Sequence, residues 1–503
     1  MPVGNFLQHK GNGIVQEWDG SDIPRTFLSP EPPQLIDLET WRGFTDEQKL
    51  AIVEKEADEN GIERPTGYNV SFHYNPKVEG HHFGRSHPMK PWRLTLTKQL
   101  VLGYGLQYAM DTYVSRPASR QELEIFHGKS YLNFLSSITP ENMEQMGDLG
   151  RFNFGDDCPV FDGMWDYCRL YAGASFDAAA KLISKQSDIA INWSGGLHHA
   201  KKNEASGFCY INDIVLAIQA MLTVESRVLY VDIDVHHGDG VEQAFWSTDR
   251  VMTLSYHKFG DFFPGTGAMD ETGPESIENP GWKMALNVPL HDGIDDEQYR
   301  DLFSEITGAA IETFNPGAIV LQCGADSLGG DRLGKFNLNI RAHGYCIEFV
   351  KSKCHNRRLM LVGGGGYTPR NVARAWCHET SVCVGASLKN HIPGHVPYRQ
   401  AFTGEENGDG LMYPDLANHP SKRHPNLHSK EYLQMMKQNI HTQLRFIQNT
   451  ATIKMDRLPD NYLQLRAEVD KQFREEQEER ERLEAERKQK EKNIGSKNEL
   501  RGT

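Results

Sequence analysis

Residues Val228–Gly240 read VLYVDIDVHHGDG. The opening run is apolar and β-branched, as expected of a strand buried on both faces. Polarity then changes abruptly, with Asp232, Asp234, His236, His237 and Asp239 inside eight residues. In extended chain alternate residues project the same way, so Asp232, Asp234 and His236 share one side. A carboxylate and an imidazole at that spacing can grip one divalent cation, and a third ligand from another strand leaves a position open for substrate and water. Asp326, following AIVLQCG, is the natural third ligand. One imidazole with two carboxylates suits zinc; iron(II) and manganese also accept such a nitrogen and oxygen set. Isolated Asp-x-His pairs are usually caps and loop residues at strand ends. Three acids and two histidines directly after a buried strand outweigh that ordinary reading.

Outward from this stretch, short apolar runs at Ile189–Trp193, Val251–Ser255, Ala318–Gln322 and Leu359–Val362 each lead into Gly, His or Asp. Helical patterns lie between them at Asp213–Val224, Asp296–Phe314 and Arg341–Ser352. The alternation predicts an α/β fold: an open, doubly wound, mainly parallel sheet flanked by helices. In such sheets ligands sit beyond the carboxyl ends of the strands. Residues 1–66 mix Pro, Gly and acids around one short helix near Trp41–Glu59 and read as a partly disordered extension. Residues 67–428 form the predicted domain, closing with a Pro-, His- and Gly-rich wrapping stretch from Asn390. Residues 429–503 read as a helical, highly charged tail; FREEQEERERLEAERKQKEK lacks the sustained apolar positions of a coiled coil.

Composition narrows the function. Lys plus Arg number 54 against 68 Asp plus Glu, a net charge of −14, which disfavours direct attraction to nucleic acid. The eight cysteines form no CxxC pair and read as reduced intracellular thiols. MPVGNFLQHKGNG lacks a basic segment leading into an apolar one, and no apolar run reaches about 18 residues, so neither a secretory leader nor a membrane span is expected.

Two further motifs follow predicted strands. NWSGGLHHA carries His198 and His199, and an imidazole beside a metal site can take a proton and pass one to a leaving amine if a carboxylate orients it. Asp232 and Asp239 are the candidates to orient the two rings. LMLVGGGGYTPRN has neither the GxxxxGK[ST] nor the GxGxxG phosphate-loop context, so its glycines are read as letting the backbone pass close to the site and swing Tyr367 toward it as an oxyanion donor.

On these residues, Gly67–His428 resembles a class I histone deacetylase, of the fungal type closest to the enzymes of co-repressor complexes. HPMKPWR, GDDCPVFDG, NWSGGLHHAKKNEASGFCYINDI, VDIDVHHGDGVEQAF, FFPGTG, QCGADSLGGDRLG and GGGGYTPRNVARAW carry the likeness, in one order over most of the chain. The resemblance implies an arginase/deacetylase-like fold and zinc-dependent hydrolysis of Nε-acetyl-lysine in histone tails, with iron(II) as the alternative metal. Asp234, His236 and Asp326 would hold the metal. His199, partnered by Asp239, would be the principal base and acid, His198 with Asp232 would assist, and Tyr367 would serve the oxyanion. Gly207, Phe208 and Phe263 would line the acyl-lysine tunnel, with Asp157 and Leu333 at its rim.

The resemblance also implies potassium at Asp232, Asp234, His236, Ser255 and Tyr256, and again at Phe245, Thr248 and Val251. His82, Lys90, Arg332 and Arg370 fall where co-repressor-bound members hold an inositol polyphosphate as regulator. Acetylated histone tails and co-repressor subunits are the implied partners, with no sequence-specific DNA contact and no membrane, in the nucleus with a cytoplasmic pool. The chain departs from the family pattern at Arg85 and Ser86, at Met284, in AWCHET and over Ala268–Trp282. An acetylpolyamine amidohydrolase, an arginase-like hydrolase and an inactive scaffold are the competing readings.

Overall fold

In the computed structural model the described residues are 35–447, apart from 355–356 and 419–422, together with Glu468, Lys471, Arg474, Glu475 and Arg482. Among them are eight strands: β1 (Val70–Tyr74), β2 (Asp111–Val114), β3 (Ile189–Asn192), β4 (Val228–Asp232), β5 (Val251–Lys258), β6 (Ala285–Leu290), β7 (Ala318–Gln322) and β8 (Arg358–Val362). They form one sheet, every pair parallel, in the order β2-β1-β3-β8-β7-β4-β5-β6. β3, β4 and β7 are buried along their whole length, which is why they read as unbroken apolar runs.

Two groups of helices cover the sheet. Met164–Ile183 packs on β3, β1 and β8 and against the helix Asp213–Met221. The other group links Trp92–Gly103, Pro369–Val384, Ile340–Lys353, Asp296–Phe314 and Lys430–Leu444, each packed on the next. The predicted doubly wound α/β architecture is therefore the observed one. Asp296–Phe314 begins where Asp295 accepts the Gln298 N–H at 3.1 Å and ends on Asn315 in the left-handed region.

The four central strands position the site. Asn192, Val362, Gln322 and Asp232, the last residues of β3, β8, β7 and β4, are successive register partners. The chain leaves β3 and returns as β4 three positions away, with β8 and β7 filling the gap later. Such a reversal opens a crevice at the carboxyl ends of the strands.

Near the N-terminus, the single helix expected over Trp41–Glu59 is two, Leu38–Gly43 and Asp46–Glu59. Phe44 is extended, and Thr45 with Gln48 forms a reciprocal cap that starts the second helix. The described part of the 1–66 stretch packs on the body: Trp41 stacks on His395 with centroids 5.2 Å apart, and Asn60 Oδ1 accepts the Lys389 N–H at 2.8 Å. At the other end, Lys430–Leu444 covers the outer strand β6. Tyr432 donates to Pro289 O at 2.9 Å, Gln443 donates to Ala285 O at 2.6 Å, and Lys437 pairs with Asp301 and Glu305. The unit containing the sheet ends at Met455; in the second, Asp456–Thr503, the five described residues are helical and Lys471 pairs with Glu475 at 3.8 Å. Among the described residues no helix is long and apolar enough to cross a membrane.

Candidate active site

Asp234 and His236 sit just past β4, and Asp326 sits in the short helical turn Ala325–Ser327 after β7. All three are buried, and their potential ligand atoms lie within 4.8 Å of one another. His236 Nδ1 is 3.0 Å from Asp234 Oδ1 and 3.1 Å from Asp326 Oδ2. Neutral donors fix the carboxylates: Gln322 Nε2 and Gly365 N reach Asp234 Oδ2 at 2.9 and 2.8 Å, and Val235 N reaches Asp326 Oδ1 at 2.9 Å. A Cβ on Gly365 would lie 1.9 Å from Asp326 Oδ2, so glycine alone lets this backbone pass. Burial and the neighbouring Asp234 carboxylate push Asp326 up. Two buried carboxylates converging on one imidazole, without a Lys or Arg among them, could hold a divalent cation.

His198 and His199 follow β3, their ring centroids 3.9 Å apart. His198 Nδ1 lies 2.7 Å from Asp232 Oδ2, and His199 Nδ1 lies 2.7 Å from Asp239 Oδ1. The structure thus brings each imidazole to the acid named for it. Burial opposes charge on His198, yet Asp232 and Asp234 outweigh it and raise the ring to about 9. Burial and the facing His198 cation lower His199 to about 3.

Of these groups His199 and His236 reach the floor of a cleft of about 1350 Å³, which Tyr367, Gly207, Phe208, Phe263, Asp157 and Leu333 also line. Phe263 stands edge-on to His199 at 4.9 Å, and Phe208 edge-on to Tyr367 at 5.6 Å. Gly207 has φ +50, and a Cβ there would meet His199 at 2.5 Å and Phe263 at 2.8 Å. Phe263 and Asp157 are exposed at the mouth, and the Asp157 carbonyl is held by His87 Nε2 at 3.2 Å. Burial, then the Asp326 and Asp234 carboxylates, keep the Tyr367 hydroxyl protonated by raising it well above the usual phenol value.

The remaining residues named from sequence are placed as follows. Ser255 pairs in register with Asp232 at the end of β4, and Tyr256 is the next residue of β5. Phe245, Thr248 and Val251 span the turn from the helix Asp239–Ala244 into β5, with Thr248 N donating to Phe245 O at 3.3 Å. Lys90 donates to Gly84 O and Arg85 O, both at 2.9 Å, and feels the charge of exposed Arg332. His82 Nδ1 accepts the Gly84 N–H at 3.0 Å, whereas Arg370 reaches Glu406 O at 3.4 Å. Among the departures, Met284 is buried beside β5, and His378 of AWCHET bonds Tyr413 Oη at 3.1 Å.

Sequence reasoning missed several supports. Asp331 takes the N–H groups of Leu333 and Gly334 on Oδ1 and of Tyr367 and Thr368 on Oδ2, joining the rim to the tyrosine loop. Its local half is an Asx turn, legible in GGDRLG; its partner 36 residues away is not. Lys201 contacts Asp239 Oδ2 directly, and Tyr230 donates to Asp232 Oδ2 at 2.6 Å.

A parallel α/β sheet that sets an Asp-His-Asp cluster beside two imidazole–carboxylate pairs, under one cleft, defines a metal-dependent hydrolase. Comparison with known proteins narrows this. The histone deacetylase domain model matches residues 87–383. Histone deacetylase B of Dictyostelium discoideum is 47% identical over 412 residues, covering 82% of this chain and 95% of its own length. Histone deacetylase 1 of Homo sapiens is 47% identical over 398 residues, 79% of each chain. Histone deacetylase 6 of Arabidopsis thaliana is 53% identical over 348 residues, 67% of this chain and 72% of its own. The chain belongs to the histone deacetylase family, and the class I resemblance is borne out.

Proposed function

We propose that the chain hydrolyses Nε-acetyl-lysine in histone tails, with zinc held by Asp234, His236 and Asp326. The observation that carries this reading is that His236 of that cluster, His199 of one His–Asp pair and Tyr367 line one cleft, with the cluster's carboxylates and the second pair buried behind them. Bound zinc supplies Lewis acidity to the acyl carbonyl and to water. His199, kept neutral, accepts the proton of the attacking water, and Asp239 on Nδ1 leaves Nε2 for that task. Tyr367 donates its hydroxyl hydrogen to the developing oxyanion. As the C–N bond breaks, His199 returns the proton to the lysine nitrogen, giving acetate and free lysine. His198, held protonated, contributes fixed positive charge beneath the site.

Phe208 and Phe263 form slender aromatic walls for the acyl-lysine stem, and Asp157 at the rim can accept backbone N–H groups, which favours a polypeptide over a free polyamine. Potassium at the Ser255 and Phe245 sites, and an inositol polyphosphate on His82, Lys90, Arg332 and Arg370, belong to the same proposal. Lys90 and Arg332 lie close enough for mutual repulsion, which an anion would relieve. A net charge of −14 suits basic tails and leaves DNA targeting to co-repressor subunits in the nucleus.

The test is hydrolysis of an acetyl-lysine histone-tail peptide by zinc-loaded chain and by Tyr367→Phe. The variant is expected to lose roughly 10²- to 10³-fold in kcat with KM little changed. Silence of the zinc-bound wild type, persisting with inositol polyphosphate and a co-repressor fragment, would favour a scaffold.

A further inference from the structure

Behind the turn that carries Asp326 lies a buried side-chain cluster with no contact to the cleft. His343, on Ile340–Lys353, and Glu379, on Pro369–Val384, are both fully buried. His343 Nε2 is 3.0 Å from Gly324 O, so it donates there, and Nδ1 is in close contact with Glu379 Oε1. The second Glu379 oxygen, Oε2, has no hydrogen-bond partner among the described residues, so the ring is the carboxyl's only polar attachment. One turn earlier on the same helix, Trp376 Nε1 donates to Cys323 O at 2.8 Å, its ring stacked on Trp193 at 5.5 Å.

Two successive carbonyls, of Cys323 and Gly324, are thus gripped from the helix side, while Gly324 abuts Asp234 on the other. A Cβ on Gly324 would lie 2.0 Å from Asp234 Oδ2. The turn has no slack between metal ligands in front and indole and imidazole donors behind. Burying an imidazole and a carboxyl costs desolvation energy that apolar packing would avoid. A structural helix contact does not need them.

We infer that His343, oriented by Glu379, and Trp376 are positioning residues that set the place of the Asp326 carboxylate and thereby the affinity of the Asp234–His236–Asp326 cluster for its cation. The inference rests on the metal reading proposed above. Groups that fix metal ligands from behind are typically worth about 10- to 100-fold in metal affinity.

The experiment measures zinc affinity of the full chain by chelator competition, with circular dichroism to verify folding, for wild type, His343→Leu, Trp376→Phe and Glu379→Gln. His343→Leu is expected to weaken zinc binding by roughly 10- to 100-fold. Trp376→Phe keeps the stacked ring and loses only the donor; a several-fold loss is expected. Glu379→Gln keeps an amide oxygen and an N–H, either of which can bond Nδ1, and is expected to stay near wild type. Wild-type affinity in both His343→Leu and Trp376→Phe would reduce the cluster to core packing and overturn the inference. If His343→Leu does not fold, Trp376→Phe decides alone, and wild-type affinity there overturns it. Absence of zinc binding in wild type would instead overturn the metal reading itself, and this inference with it.

Discussion

His198–Asp232 and His199–Asp239 are chemically the same pair at the same 2.7 Å separation, on rings that touch, yet they hold protons in opposite ways. The difference lies in which charges surround each ring. Asp232 is fully buried and takes neutral donors, the Tyr230 hydroxyl at 2.6 Å and the Asp234 N–H at 3.1 Å, so its charge remains to hold His198 protonated with help from Asp234. Burial and the facing His198 cation keep His199 neutral against the pull of Asp239, whose other oxygen contacts the Lys201 ammonium. A His–Asp pair has no fixed role; the third partner assigns it.

The largest test of this contrast is alanine at each ring. His199→Ala is expected to cost roughly 10²- to 10⁴-fold in kcat/KM on an acetyl-lysine peptide, as loss of the acid and base, and His198→Ala clearly less. Equal losses would erase the distinction. Next is the pH dependence of stability in the chelator-stripped chain, followed by urea unfolding. His198, raised from 6.5 to about 9, stabilises fully below 6.5 and loses this as pH rises through 9. His199, lowered from 6.5 to about 3, stabilises fully above 6.5 and loses this as pH falls toward 3. Their joint contribution peaks near pH 6.5, and Asp232→Asn should flatten its alkaline side alone. Smallest is Lys201→Met. An uncompensated Asp239 raises His199, so the acid limb of the kcat/KM profile should move upward by about one pH unit or less. A downward shift would contradict the assigned role of Lys201.

The residues in VLYVDIDVHHGDG and the runs of β3, β5, β7 and β8 were legible because buried parallel strands write themselves as apolar runs and their carboxyl ends as chemistry. Strands β1, β2 and β6 were not. β1 buries Ser71 and His73, bonded to each other at 3.1 Å, so its run is interrupted by polar residues. β2 is a half-exposed edge, and β6 is the opposite edge and contains Pro289. In the site, residues spaced by two along one strand could be paired on paper. The links from Gln322 to Asp234, from Asp331 to Tyr367 and from His343 to Gly324 join segments distant in sequence, and local patterning is blind to them.

The aligned ends of the four central strands also bear on how such a molecule can change over evolutionary time. Asn192, Val362, Gln322 and Asp232 stand side by side, and a one-residue slip in any of these strands would turn its side chains to the opposite face. Insertions and deletions within the strands are therefore closed to selection. The loops that leave them can lengthen freely, so new substrate preferences should arise as changes in loop length around an unchanging floor.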